Sequence, residues 1–559
     1  MEKIWLRNYP AGVPADINPN ETASLQALIE RSCTRFPERP AYTLMDRTIT
    51  YGDLDRLSRQ FAAYLQQVAG LKKGDRIAIM LPNILQYPVA IAAAFRAGLT
   101  IVNTNPLYTP RELEHQLRDS GARAILILEN FAHTLQQVRA ATGVETVIVT
   151  GIGDMLGFAK GTLVNFVLRH VKKQVPEYSL PGAVGFNEAM SKGKYENLAP
   201  VAVGHEDIAF LQYTGGTTGV SKGAVLTHRN MVANVLQTEA WMGPSLRDQS
   251  AQMVLISALP LYHIFSLQGC LTFLKLGAHN VLIANPRDFA GFVKELSKYR
   301  FTFFAGVNTL FNALLNAPGF DRLDFSALKV SLGGGMAVQG AVAERWKQVT
   351  GNTLTQAWGL TETSPAACIN LLDAPEFTGS IGLPIPSTII TIRDDDGNEL
   401  PVRASGEICV EGPQVMRGYW NRDDETEKVM IDGRILRTGD IGYMDEDGYV
   451  FIEDRKKDMI LVSGFNVYPN EVEGVVVTHP GVLEVAAVAQ PDERAGEIVA
   501  LFVVKKDPAL TEDALIEHCR KSLTGYKVPK RVYFRDELPK TNVGKILRRQ
   551  LRDEAMKTA

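Results

Sequence analysis

Between residues 50 and 130, helical and strand-like patterns alternate without a break. Residues 51–67 carry Leu54, Leu57, Phe61 and Leu65 at helical spacing. Gly74-Asp75 then leads into 76–81, an apolar run of strand length. Residues 86–98 are helical again, 101–103 read as a strand, 110–121 as a helix and 124–128 as a strand. This βαβ rhythm commits the chain to sheets covered by helices, because fully apolar strands need cover on both faces. It returns between 250 and 350, where 254–258, 278–283, 301–306 and 329–332 read as strands. From about 380 the texture changes to short alternating runs with Asp-Gly turns: 389–393 before Asp396-Gly397, 406–411, and 449–453 after Asp447-Gly448. These predict a small antiparallel unit. The charged stretch Glu453-Asp454-Arg455-Lys456-Lys457-Asp458 reads as a linker, and the final unit holds strands at 486–489 and 498–504 and a helix at 511–523. The expected class is α/β: a large N-terminal domain of βαβ-type sheets with a small β-rich subdomain, then a small α+β C-terminal domain.

Composition excludes several functions. Lysine and arginine total 59 against 62 acidic residues, a net charge of −3, so there is no basic footprint for nucleic acid. The five cysteines, at 33, 270, 368, 409 and 519, form no Cys-x-x-Cys pair; reduced thiols in a cytoplasmic setting are the simplest reading. The N-terminus lacks the apolar run of a signal peptide, and no stretch is long and apolar enough to span a bilayer. Residues 163–175 place Val164, Val167, Leu168, Val171 and Val175 on one helical face with Arg169, His170, Lys172 and Lys173 nearby. Such a helix either lies in a membrane interface on the inner face or packs on the core like any surface helix.

Chemistry concentrates in Tyr213-Thr214-Gly215-Gly216-Thr217-Thr218-Gly219-Val220-Ser221-Lys222-Gly223, which follows the apolar run 208–212 and precedes Ala224. Glycines let backbone N–H groups approach an anion, the hydroxyls add donors, and Lys222 adds a positive charge. The loop suits polyphosphate. It is not a Walker A loop, since Val220 and Ser221 separate Gly219 from Lys222. Three further motifs follow in order: Gln356-Ala357-Trp358-Gly359-Leu360-Thr361-Glu362; Arg437-Thr438-Gly439-Asp440 with Asp454-Arg455-Lys456-Lys457-Asp458; and Pro539-Lys540-Thr541-Asn542-Val543-Gly544-Lys545-Ile546-Leu547-Arg548-Arg549.

Those four motifs, in that order, resemble the acyl-adenylate-forming superfamily of acyl-CoA synthetases, luciferases and adenylation domains, and within it the bacterial long-chain fatty acid–CoA ligases. The resemblance runs nearly end to end. It implies an AMP-forming ligase that joins a fatty acid to CoA through an acyl-adenylate, with 1–453 as adenylation body, 454–458 as hinge and 459–559 as mobile domain. ATP's phosphates would lie against 214–222, with Tyr213, Gly223 and Ala224 completing the cofactor-binding stretch. Glu362 would bind Mg²⁺ with a hydroxyl from Thr217, the expected metal ligand, or from Thr218. Trp358 would stack on adenine beside Gly334 and Gly335, with Gln356, Gly359 and Thr361 completing that edge. Asp440, assisted by Arg455, would hold the ribose. Lys545 would bridge carboxylate and α-phosphate, Lys457 would be the hinge, and Gly464 would line the CoA channel. His263, Gly306 and Val307 would border the acyl pocket. Relatives carry Trp where this chain has Ile435, which makes that position an expected gate and puts an inherited acyl-length preference in doubt. The implied partners are fatty acid, ATP and CoA, with inner-face membrane association and a homodimer left open. Two alternatives stand: an acyl-AMP ligase with an acceptor other than CoA, and a non-catalytic fatty-acid or nucleotide sensor.

Overall fold

The computed structural model describes residues 3–214, 221–246, 251–492, 494–541 and 544–557. The first βαβ run builds a seven-stranded sheet. Its strands lie in the order Val184–Gly185, Thr146–Thr150, Ala124–Leu128, Arg76–Met80, Thr100–Asn103, Ile208–Thr214 and Lys222–Thr227. All neighbours are parallel except the last pair, an antiparallel hairpin. Local sequence explains the flanking helices. Tyr51–Ala63 starts on a Thr50–Asp53 capping box. Pro110–Ser120 starts on a Thr109–Glu112 box with proline in its first turn, and ends at Gly121 in the left-handed region at φ 61°.

The second run builds a nine-stranded sheet. Its order is Leu383–Pro384, Ala366–Ile369, Leu354–Gly359, Val330–Gly333, Phe303–Gly306, Val254–Ser257, His279–Leu282, Pro40–Leu44 and Arg47–Thr50. The central strands are parallel, and both ends finish antiparallel. Helices His228–Leu246 and Ile264–Lys275 cover this sheet toward the first. A five-stranded antiparallel sheet follows, built on Ile389–Arg393, Gly406–Glu411 and Ile435–Met444, with Val450–Arg455 beside the last. The C-terminal unit is a second five-stranded sheet around the long hairpin Val482–Asp492 and Gly496–Lys505, with its own core.

Two expectations change. The charged stretch at 453–458 is not a solvated linker throughout: strand Val450–Arg455 runs into it, and Asp454 is fully buried. Asp454 accepts from the backbone N–H groups of Arg455 and Asn470, at 2.7 and 2.8 Å, and burial pushes its carboxyl up to about 6. The chain leaves the sheet only after Arg455. The apolar face at 163–175 is also split. Val164 packs on the main core, whereas Phe158 is 93% exposed and Leu163, Phe166 and Val171 are exposed with it. Among the described residues no helix is long and apolar enough to cross a membrane, and all five cysteines are free and buried.

Candidate active site

Strands Phe303–Gly306, Val330–Gly333 and Leu354–Gly359 end on the same side of their sheet, and their carboxyl ends deliver Asn308, Gly334-Gly335 and Leu360-Thr361-Glu362 to one cavity of about 1440 Å³. Ligands of open α/β sheets bind at such ends. The opposite rim carries Tyr213, Thr214 and Lys222 from the hairpin of the first sheet. Thr438, Gly439, Asp440 and Arg455 come from the small sheet, and Lys540, Lys545 and Arg548 come from the C-terminal unit. An apolar arm leaves the cavity between the two covering helices and the sheet, bordered by Met242, Leu255, Phe273, Phe303 and Ala305.

Lys545 reaches the centre from the far domain. Its backbone turns back on Thr541, which donates its N–H to Lys545 O at 2.7 Å and accepts the Lys545 N–H on Oγ1 at 3.1 Å. Two glycines make room. A Cβ on Gly335 would sit 3.3 Å from Lys545 Cε, and one on Gly544 would sit 2.9 Å from Thr309 Oγ1. Gly335 and Gly544 also hold positive φ, at 76° and 83°. Thr309 Oγ1 donates to Gly544 O at 2.9 Å, and Asn312 Nδ2 to Leu483 O at 3.2 Å, so the docked pose is bonded across the two units. Burial, with Arg455 nearby, pulls the Lys545 ammonium down to about 8 despite Asp440 and Glu362. Behind it, Arg548 pairs with Glu473 at 2.7 Å, and Arg552 donates to Lys457 O at 3.1 Å. Burial also lowers the Lys457 ammonium.

Around this lysine the polar groups are already engaged. The Trp358 indole N–H donates to Asp440 Oδ2 at 2.9 Å, and Arg455 Nε lies 3.0 Å from Oδ1. Glu362 accepts from the Tyr419 hydroxyl at 2.7 Å. Lys222 is ion-paired with Glu425 and lies 4.8 Å from the centre of the Tyr419 ring. Gln356 shapes the wall, accepting from Val338 N at 2.7 Å and donating to Ser380 O at 2.9 Å. The Tyr213 hydroxyl donates to Asp119 Oδ2 at 2.5 Å, and burial holds this phenol neutral. His263 borders the arm beside Phe265; burial drives its imidazole down to about 3, so it carries no charge near neutrality.

Of the residues expected from sequence, the structure brings Tyr213, Thr214, Lys222, His263, Gly334, Gly335, Gln356, Trp358, Gly359, Thr361, Glu362, Asp440, Arg455, Lys457 and Lys545 to the cavity lining. Gly215, Gly216, Thr217, Thr218, Gly219 and Val220 lie outside the described residues. Ser221, Gly223 and Ala224 sit in the hairpin behind Lys222 and do not line the cavity; Ser221 O contacts His115 Nε2 at 2.9 Å. Gly306 and Val307 stand behind the wall, where Ala305 and Asn308 take the lining positions. Ile435 is buried in the small sheet opposite Glu411 and Ile431, and it is Leu436 that faces the cavity. The lining begins only at Leu436 and runs on through Asp440, leaving Ile435 in the body of the small sheet. Gly464 tops an exposed turn of the C-terminal unit away from the cavity, at φ 85°. Sequence reasoning missed Tyr419, Glu425 and Thr309. Each is an ordinary loop or helix residue whose role exists only through long-range contact, and no local pattern marks it.

A hairpin rim bearing Thr214 and Lys222, a glycine loop, an acid–arginine pair and an apolar arm, capped by a lysine from a second domain, define an enzyme that activates a carboxylate with a nucleotide. The AMP-binding enzyme family model matches residues 29–420, and that of the AMP-binding enzyme C-terminal domain matches 471–545. This chain belongs to the AMP-binding enzyme family. It is 59% identical over 556 residues to a long-chain-fatty-acid–CoA ligase of Salmonella typhimurium, covering 99% of both chains. It is 39% identical over 560 residues to a protein of that name from Bacillus subtilis, covering 99% of this chain and 98% of that one. Among solved structures, the o-succinylbenzoate CoA synthetase of Bacillus subtilis with its acyl-adenylate intermediate superposes with a TM-score of 0.76 at 27% identity, covering 94% of this chain and 98% of the other.

Proposed function

We propose that this chain is a fatty acid–CoA ligase that converts fatty acid, ATP and CoA into acyl-CoA, AMP and pyrophosphate through an acyl-adenylate. The carrying observation is the half-buried Lys545, set over Gly335 in the lining of the cavity. A carboxylate and an α-phosphate repel as they approach, and a fixed ammonium between them offsets the charge that develops. The arm holds the hydrocarbon. Trp358 and the glycine loop offer a flat slot for a base, while Asp440 can accept from ribose hydroxyls under the hold of Arg455. Lys222 is positioned to leave Glu425 for phosphate.

Mg²⁺ fits this site. Among the described residues no cluster of three or more metal-ligating side chains exists, but Glu362 supplies one hard oxygen, enough for an ion that takes its other ligands from substrate phosphates and water. When bound, such an ion would neutralise phosphate charge. In the second half-reaction, the C-terminal domain would turn about Lys457, withdraw Lys545 and bring the Gly464 turn to the cavity for CoA. The exposed Phe158, Leu163, Phe166 and Val171, with Lys172 and Lys173 close by, support peripheral binding to an anionic membrane surface. Co-sedimentation with anionic vesicles, lost on Phe158→Ser with Leu163→Ser, tests this.

The function is tested by scoring AMP and pyrophosphate across free acids of graded length, with and without CoA. Acid-dependent pyrophosphate with CoA-dependent AMP release is the expected result. AMP release indifferent to CoA would instead favour an acceptor other than CoA, and no nucleotide turnover would favour a sensor.

A further inference from the structure

Partway along the apolar arm the wall turns polar. Thr238, on helix His228–Leu246, and Gln268, on helix Ile264–Lys275, both line it. Gln268 is only 5% exposed. Its Nε2 donates to Thr238 Oγ1 at 2.8 Å and to Thr272 Oγ1 at 3.0 Å, with Asn234 O at 3.3 Å. Thr238 Oγ1 in turn donates to Asn234 O at 2.9 Å. These bonds fix the amide in one orientation, with its donors spent on the helix pair. The remaining atom, Oε1, accepts no hydrogen bond among the described residues. The same arm is bordered by Met242, Leu255, Phe273, Phe303 and Ala305. Next along the same helix, Gly269 leaves the arm open, since a Cβ there would meet nothing within 4 Å.

A carbonyl oxygen that opens onto an apolar arm with no protein donor gains a partner when the ligand supplies one. We propose that Gln268 forms a hydroxyl-recognising subsite in the acyl arm, so that the enzyme uses fatty acids carrying a single hydroxyl partway along the chain, whose O–H donates to Gln268 Oε1. This rests on the fatty acid–CoA ligase reading. Gln268 lies one helical turn, about 6 Å, beyond Ile264 at the start of its helix, next to His263 at the mouth, so the favoured hydroxyl sits in the near part of the chain rather than at its far end. A site built to bond a hydroxyl discriminates against the analogue lacking it more strongly than an apolar wall discriminates by size.

The test uses the full-length enzyme with ATP, Mg²⁺ and CoA, and a set of straight-chain saturated acids of one length. One is unsubstituted and the others carry one hydroxyl at successive carbons; kcat/KM is read from pyrophosphate release. The expected profile has one hydroxyl position standing about tenfold above its neighbours. In Gln268→Leu that peak is lost and the unsubstituted acid is used better, a crossing of preference that general damage cannot produce. If Gln268→Leu does not fold, Gln268→Met, unbranched and of similar length, runs the same comparison. A flat profile in the wild type, or a peak that survives the substitution, overturns the subsite while leaving the ligase reading standing. No turnover of any acid, hydroxylated or plain, overturns the ligase reading itself.

Discussion

Trp358 and Asp440 are joined by an indole N–H···carboxylate bond of 2.9 Å, on the face of Asp440 opposite Arg455. The carboxylate is therefore aimed from two sides by groups from two different sheets. Trp358→Phe keeps a flat ring but removes one of those holds. A hydrogen bond to a charged group is worth about 1.5–3 kcal/mol, so KM for ATP should rise about tenfold or more while kcat changes little. Steady-state kinetics with ATP varied at saturating acid and CoA checks this. An unchanged KM for ATP would detach Trp358 from ribose recognition.

The pH dependence follows from Lys545. Burial depresses its ammonium to about 8, so the charge is present below that pH and disappears above it. The kcat/KM for ATP reports the free enzyme and should fall about tenfold per unit above pH 8. Lys545→Arg keeps its charge through this range and should lose that limb, at a lower plateau. Lys545→Ala should abolish acyl-adenylate formation yet still form thioester from supplied acyl-AMP. Unimpaired adenylation in that variant would falsify the role.

Lys457 offers a separation of the two half-reactions. Its N–H donates no backbone bond among the described residues, so Lys457→Pro removes none in the docked pose. Proline fixes φ and would resist rotation there. Single-turnover assays should find adenylation retained and thioester formation reduced by at least about tenfold. Equal loss in both steps would argue for simple distortion.

Acyl length should answer to Gly269, not to Ile435. A leucine at 269 enters open space in the arm and replaces a helix-interior glycine, which favours the helix by roughly 1 kcal/mol. Gly269→Leu should leave short acids as substrates and cut kcat/KM for long ones by about a hundredfold, since each excluded methylene forfeits about 0.8 kcal/mol. Ile435→Trp, buried off the cavity, should cost about 1–3 kcal/mol of stability by overpacking without moving the length profile. Length profiles and thermal melts of both variants decide between the two positions.

How far the chain could be read in advance depends on the range of the interaction. Strands such as Arg76–Met80 and Ala124–Leu128 announce themselves through continuous apolar runs, and helix Pro110–Ser120 through its own caps. Their neighbours do not. Pro40–Leu44 joins the second sheet beside His279–Leu282, a partnership fixed by tertiary burial across more than two hundred residues. The same divide runs through the site. Motif residues such as Trp358, Asp440 and Lys545 stand out because their local spacing is unusual. Ile435 could not be assigned to a face, because a bulged strand gives no phase from sequence alone. Nothing local marks Gln268, whose amide matters only through its place in the wall of the arm.

The bonds that hold the C-terminal unit over the cavity have a bearing on how such a protein can diverge. Thr309 and Asn312 both grip main-chain carbonyls, those of Gly544 and Leu483. Every residue type offers a carbonyl, so at these two points the moving partner contributes shape and not side-chain identity. Substitutions at Leu483 can accumulate without loosening this latch, while Thr309 and Asn312 bear the selective constraint. Gly544 is the exception, held to glycine by its positive φ and by the closeness of Thr309. At Leu483 the small domain is thus free to vary in sequence, provided its backbone still arrives at the same place.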